Sequence, residues 1–253
     1  MKPFHELLVS SAREHGHLCP GQVVGVRMAM LGCRLIGLND PTSHEQIKKL
    51  IVFVEMDRCT GDAVAHVTGV KLGRRSLKFV DYGIMAATFV NLQTRKAFRI
   101  LSTEESRDLV AVYAPNILEK NIQQLEAYQA MPDSVLFRVQ EVDVPLDKYE
   151  MPGPTSRKVA CERCGQVIRD HREVEVDGVI LCKPCALGAY FRNAREITWE
   201  NMNWAPEPGE SRKTSSVQKV RMSRELPQVP VRHKKAAGKA AEAATVHERA
   251  VNL

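Results

Sequence analysis

The sequence predicts an α+β fold, with helices packed on a mainly antiparallel sheet, followed by a small four-cysteine module and a disordered basic tail. Three observations lead there. Helix-period and strand-type apolar runs alternate through about residue 150, with several strand-like runs joined by turn residues. Two Cys-x-x-Cys pairs follow, at Cys161/Cys164 and Cys182/Cys185. Beyond about Ala205 there is no aromatic residue, and the composition turns to Pro, Lys, Arg, Ser and Ala. Such a segment buries too little apolar area to offset its chain entropy.

Taken in order, Phe4-His5-Glu6-Leu7-Leu8 begins a short amphipathic helix that ends near His15-Gly16. Pro20 opens a second helix reaching about Ile36, because proline at the first helical position loses no hydrogen bond. Val23, Val24, Met28, Leu31 and Leu35 form its apolar stripe. Gly21, Gly25, Ala29 and Gly32 keep another side small, for close backbone packing within the fold or across a homodimer. Ile51–Val54 reads as a buried strand, Glu55–Thr60 as a loop, and Gly61 to about Thr68 as a short helix. After the loop Gly69–Arg75 come strand-like runs at Leu77–Val80, Ala86–Leu92 and Ala97–Ile100. A helix from about Ile117 to Gln129 and a strand from Val135 to Val142 complete the set.

The breaker-rich stretch Pro145–Pro154 marks a boundary. The expected domains are 1–150, a linker 151–158, the cysteine module 159–197 and the tail 205–253. The 253 residues suffice for one sizeable core and a small second module. No apolar run approaches the roughly 20 residues that span a bilayer, and the N-terminus lacks the pattern of a secretory signal. Seven cysteines, four of them in pairs, argue against a disulfide framework and for a cytoplasmic location. The net charge is +6, yet ten Lys/Arg against five Asp/Glu from Pro206 onward place +5 in the tail. The body is near neutral, so any weak nucleic-acid binding is assigned to the tail.

The cysteine pairs are separated by 17 residues. Each Cys-x-x-Cys turn presents two sulfurs to one point, and four thiolates satisfy tetrahedral Zn²⁺. Gly165 permits the tight knuckle, and Glu173–Val176, Asp177-Gly178 and Val179–Leu181 read as a hairpin with a type I′ turn. So small a module needs the metal for folding. With every position filled by protein, the site is structural, and His171 is left as a surface residue.

A second constellation is His15-Gly16-His17-Leu18-Cys19-Pro20-Gly21. Pro20 holds Cys19 out of the α region, at the cap of the next helix. In an extended stretch, residues two apart face one side, so His15, His17 and Cys19 can converge. A helix N-terminus favours a thiolate, as ligand or nucleophile. Cys59 is placed similarly, before the helix at Gly61 and flanked by Asp57 and Asp62. The two helix starts are expected to meet, so that His17, Cys19 and Cys59 surround one metal ion or reactive centre. The alternative is that both cysteines are small core residues and the histidines cap a helix end. Cys33 reads as core and His66 as a helix-face residue. Gly69–Arg75 and Asp81-Tyr82-Gly83 read as ordinary turns.

The segments HGHLCPGQVVGVRMAMLG (15–32) and VEMDRCTGDAVAHVTGVKLGRRSLKFVDYGIMAATF (54–89), with the four-cysteine module, resemble the FmdE/FwdE family of molybdenum/tungsten formylmethanofuran dehydrogenase. The resemblance spans roughly residues 4–190 and leaves the tail outside. It implies a first domain like the C-terminal domain of glyceraldehyde-3-phosphate dehydrogenase, and a TraR/DksA-like zinc ribbon. The family's His-x-His-x-Cys-Pro-Gly stretch falls on His15, His17 and Cys19, and its later cysteine and aspartate on Cys59 and Asp62. Many members have Cys-Gly-Val-Asp-Ala at 59–63 and Thr-Gly-Cys-Thr at 68–71. Here Thr60-Gly61 and Val70 depart from that pattern, so a centre needing a third thiolate lacks it.

The resemblance implies a zinc-binding accessory protein of a molybdenum/tungsten oxidoreductase complex in formyl/formate (C1) metabolism, with a second metal ion at the N-terminal pocket. A stand-alone metal- or thiol-dependent enzyme is the alternative, with His17 as base, Cys19 or Cys59 as nucleophile or ligand, and Asp62 alongside. A zinc-ribbon regulator binding nucleic acid is the third reading.

Overall fold

The computed structural model describes residues 1–195. Helix α1 (Phe4–His15) stops because Gly16 adopts φ +98°, a conformation that favours glycine, and donates its N–H to the Ala12 carbonyl. Helix α2 (Pro20–Leu35) then starts on its proline, with Cys19 extended at the cap (φ −141°, ψ 163°).

Next come β1 (Leu50–Val54), α3 (Cys59–Thr68), β2 (Leu77–Phe79), β3 (Ala86–Asn91) and β4 (Ala97–Ser102). Four helical pieces follow, α4 (Glu104–Asp108), α5 (Val110–Tyr113), α6 (Lys120–Ala130) and α7 (Asp133–Leu136), before β5 (Phe137–Glu141). The five strands form one sheet in the order β2-β1-β3-β4-β5. Only the β1–β2 pairing is parallel, so the sheet is mainly antiparallel, as expected.

Central β3 is buried along its whole length. Leu50, Val52, Val54, Phe89 and Ile100 share a core with α1, α2 and α3. Ile51, Val90 and Ala97 belong to a second cluster, covered by Val142, Val144, Leu146 and Met151. The stretch after β5, expected to be no more than a boundary and linker, is a strap with an apolar face.

The small side of α2 is an internal seam. A Cβ at Gly25 would lie 2.6 Å from the Ala63 Cβ and 2.7 Å from the Thr60 carbonyl, and one at Gly21 would lie 2.9 Å from the Cys59 Cβ. Gly32 makes the same allowance for the Phe89 ring. Side chains there would force α3 and β3 away, at a cost of about 1–3 kcal/mol each.

Several boundaries differ from expectation for local reasons. Helix α3 begins at Cys59 itself rather than at Gly61. Helix α6 begins at Lys120, after Ile117, because the Glu119 carboxylate accepts from the Asn121 and Ile122 N–H groups at 3.0 and 2.7 Å. Strand β5 begins at Phe137 because α7 takes up the preceding turn. There Arg27 donates to Asp133 and to the Tyr128 and Met131 carbonyls, each at 2.6 Å.

The cysteine module contains two hairpins, β6 (Lys158–Ala160) with β7 (Val167–Arg169) and β8 (Val174–Val176) with β9 (Val179–Leu181), then helix α8 (Lys183–Leu187). Asp177 and Gly178 have φ of 52° and 77°, as a type I′ turn requires. The module is docked on the sheet domain: Asp170 pairs with Arg75 at 3.4 Å, and Arg172 with Glu150 at 3.3 Å. His171 stacks on Tyr149 with ring centroids 3.6 Å apart, so it is a docking residue rather than a bare surface one. Among the described residues no helix is long and apolar enough to cross a membrane. The tail 205–253 lies outside the described residues.

Candidate metal centres

The ribbon brings its four cysteine sulfurs within 4.8 Å of one another, and those of Cys164 and Cys182 are 3.7 Å apart. Zinc–sulfur bonds of about 2.3 Å in a tetrahedron place sulfurs about 3.8 Å apart, so the donors fit a zinc ion. Gly165, at φ +72°, closes the first knuckle and donates to the Cys161 carbonyl at 2.8 Å. Burial opposes a thiolate at Cys161, but backbone N–H groups of Cys182, Cys164 and Arg163 outweigh it and hold its pKa at about 6. Cys185 is pushed up to about 12 by its hydrogen bond with Cys182 and by burial.

The second cluster lies where α1 passes into α2. Donor atoms of His15, His17 and Cys19 all fall within 4.8 Å of one another. They converge by a route other than an extended strand: His15 ends α1, Gly16 reverses the chain, and Cys19 caps α2. The His15 and His17 rings lie 4.7 Å apart by centroid. His15 Nδ1 donates to the Asp62 carboxylate at 2.9 Å, which leaves Nε2 as the free nitrogen. That Nε2 is buried and has no hydrogen-bond partner. An orphaned buried nitrogen costs free energy unless something takes its lone pair. A histidine oriented by a carboxylate through one nitrogen is the usual preparation for metal ligation through the other. Two imidazoles and a sulfur suit zinc or another borderline ion.

Cys59 stands beside this cluster, close enough to Cys19 for the two thiols to influence each other. Burial, then the neighbouring Cys19, raises the Cys59 pKa above its usual value. Its sulfur is outside the set of three mutually close donors. The two helix starts therefore do meet, with Asp62 reaching His15 from the first turn of α3. Asp57, by contrast, is exposed.

Gln22 holds this arrangement and was not foreseen as part of it. Fully buried, it accepts from the Ser11 hydroxyl at 2.5 Å and donates to the Cys59 carbonyl at 2.8 Å, tying α1, α2 and α3 together. The available signal was a lone glutamine beside the apolar stripe of α2, which a buried position obliges to find partners.

Cys19 and Cys59 also line a cavity of about 380 Å³ bounded by α2, α3, the end of β4, α4 and α6. A separate cavity of about 590 Å³ touches His15 and Asp62 from the α1/α3 side. His66 lines that one, and both its nitrogens are engaged, with Glu14 at 2.6 Å and Ser10 at 2.9 Å. It acts as a clamp between helices. Cys33 is wholly buried core, its pKa pushed up to about 12 by burial. In the 69–75 loop, Arg75 is the residue that docks the ribbon. Asp81, Tyr82 and Gly83 are exposed, as an ordinary turn would be.

Residues 14–139 match the family described as FmdE, Molybdenum formylmethanofuran dehydrogenase operon, and residues 153–191 match the prokaryotic dksA/traR C4-type zinc finger. The chain belongs to the FmdE family. The FmdE match takes in His15, His17, Cys19, Cys59 and Asp62, and the finger match takes in all four ribbon cysteines. A probable S-adenosyl-L-methionine-binding protein of Archaeoglobus fulgidus is 27% identical over 200 residues, covering 73% of this chain and 53% of its own. This FmdE-family chain thus spans about half the length of that curated relative. A tungsten formylmethanofuran dehydrogenase FmdE-like protein from Syntrophus aciditrophicus has a crystal structure that matches 74% of this chain and 94% of its own. Its TM-score is 0.50 at 18% identity, a likeness of fold.

Proposed function

We propose that this protein is a metal-binding accessory protein of molybdenum- or tungsten-dependent formyl and formate chemistry, acting in the cytoplasm beside an oxidoreductase complex. Its own metal centre is His15, His17 and Cys19, with Cys59 adjacent and Asp62 orienting His15. The observation that carries this reading is the buried, unpartnered His15 Nε2 within 4.8 Å of the His17 and Cys19 donors. Membership of the FmdE family supports the accessory role. An ion held there contributes Lewis acidity to whatever ligand takes its open position. The protein's residues do the rest: Asp62 fixes the imidazole, Gln22 fixes the start of α3, and the cavity admits a small molecule.

Metal analysis of the purified full-length protein tests this, with the ribbon as internal standard. The wild type is expected to hold two equivalents and Cys19→Ser one. An unchanged metal content in Cys19→Ser, or a single equivalent in the wild type, would overturn the N-terminal centre.

The second reading, a metal- or thiol-dependent enzyme on a small substrate, draws on the cavity where Cys19 and Cys59 are both exposed to a ligand. The relative named for S-adenosyl-L-methionine binding supports small-molecule binding in general. Alkylation profiling tests this reading: an alkylation-inert Cys19 in metal-free protein argues against the enzyme.

A further inference from the structure

We infer that the cavity beside Cys19 and Cys59 binds a small organic carboxylate, with Arg58 as its recognising cation. The inference assigns a ligand class to that cavity and does not depend on a metal being held next to it.

The volume, about 380 Å³, lies at the small end of ligand pockets and favours a compact molecule over a dinucleotide. Val24, Met56 and Met85 give the cavity apolar walls against which a carbon skeleton can lose its water. Its charged lining consists of Arg58, Arg107 and Glu104. Glu104 and Arg107 pair with each other at 3.4 Å. Arg58 is exposed and has neither an ion-pair nor a hydrogen-bond partner for its side chain among the described residues, so the fold leaves its charge at the cavity unneutralised. Arg58 caps α3 through its backbone with no side-chain cap bond, and the fold does not occupy its guanidinium.

Backbone groups act in the same sense. Gly21 and Thr60, both in the lining, lie in the first turns of α2 and α3, where N–H groups have no helical acceptor. These two helices, of 16 and 10 residues, place their positive ends at the cavity. A guanidinium matches a carboxylate in plane and spacing, and the polar wall at Asn121 and Gln124 can hydrogen-bond further oxygens.

Calorimetric titration of the full-length protein tests the proposal, with propionate as probe and propionamide and inorganic phosphate as controls. Saturable propionate binding is expected, at least tenfold tighter than either control. Arg58→Gln should weaken it tenfold or more. Gln124→Trp, which fills the cavity from α6, should abolish it while thermal unfolding stays cooperative. Equal affinity for propionate and propionamide, or phosphate binding as well as propionate, would overturn the carboxylate assignment, as would no saturable binding at all. Loss of binding in Cys19→Ser with Arg58→Gln unaffected would place the carboxylate on the metal and overturn the arginine site.

Discussion

The four-cysteine cluster and the His15–His17–Cys19 cluster draw on the same ligand chemistry but are held in place by opposite means. In the ribbon, two short hairpins carry four sulfurs, and only a small buried set (Cys161, Ile168, Leu181 and Cys182) lies beneath them. Two of those four are themselves ligands. The N-terminal cluster sits on a packed helical layer, where Gly21 and Gly25 let α3 approach α2 and Gln22 ties three helices together. Its donors are positioned before any ion arrives. One cluster also fills a tetrahedron with protein, whereas the other offers three close donors beside a cavity. The contrast separates a metal that makes structure from a metal that structure presents to a ligand.

The largest effect should come from breaking the first. Cys182→Ser removes a zinc ligand from a module with almost no other core, and about 10 kcal/mol of metal-linked folding energy goes with it. Amide hydrogen exchange is the measurement: protection across 158–187 should collapse while α1 to β5 stays protected. Surviving protection in the ribbon would mean that docking through Arg75, Tyr149 and Glu150 holds it without metal, and the contrast would fail.

A cysteine of a third kind sharpens the comparison. Cys33 belongs to neither cluster, and burial lifts its pKa from 9.0 to about 12. The folded protein therefore keeps a proton that the unfolded chain releases. Stability from this source is complete below pH 9 and is lost as pH rises toward 12, by about 1.4 kcal/mol per unit. Cys33→Ala should cost stability at neutral pH through its cavity, yet show a shallower alkaline decline in denaturant midpoint. Parallel declines in both proteins would assign alkaline unfolding to other groups.

How much of this was legible in the sequence follows from how local each signal is. The ribbon was readable because Cys-x-x-Cys and Asp177-Gly178 fix their own geometry within a few residues. The meeting of Cys19 with Cys59 was readable from two helix starts and a small-residue stripe, since glycines at 21 and 25 need a close neighbour. Three features were not legible. Gly16 turns the chain by a left-handed residue, which no alternation rule contains. The strap over the back of the sheet looks like linker beyond Val142, because Val144, Leu146 and Met151 are apolar without lying in a helix or strand. Gln22 and the unpartnered His15 nitrogen depend on contacts with residues 11, 59 and 62, which composition along one segment does not carry.

The smallest of the predicted effects on the fold is also the sharpest on the second cluster. Asp62 is 70% exposed and touches the cluster only through His15 Nδ1. Asp62→Asn keeps the shape and removes the charge, so global stability should move by no more than about 0.5 kcal/mol. Without the carboxylate, His15 is free to turn and its Nε2 is a poorer donor. Affinity at the N-terminal centre should then fall about ten- to a hundredfold, read by competition with a chromogenic chelator, while the ribbon equivalent remains. A merely structural His15–Asp62 contact gives the reverse pattern, a shifted melting temperature and unchanged chelator competition. Because the ribbon cysteines have no counterpart to Asp62, the same titration measures both clusters in one molecule and shows whether only one of them depends on an orienting neighbour.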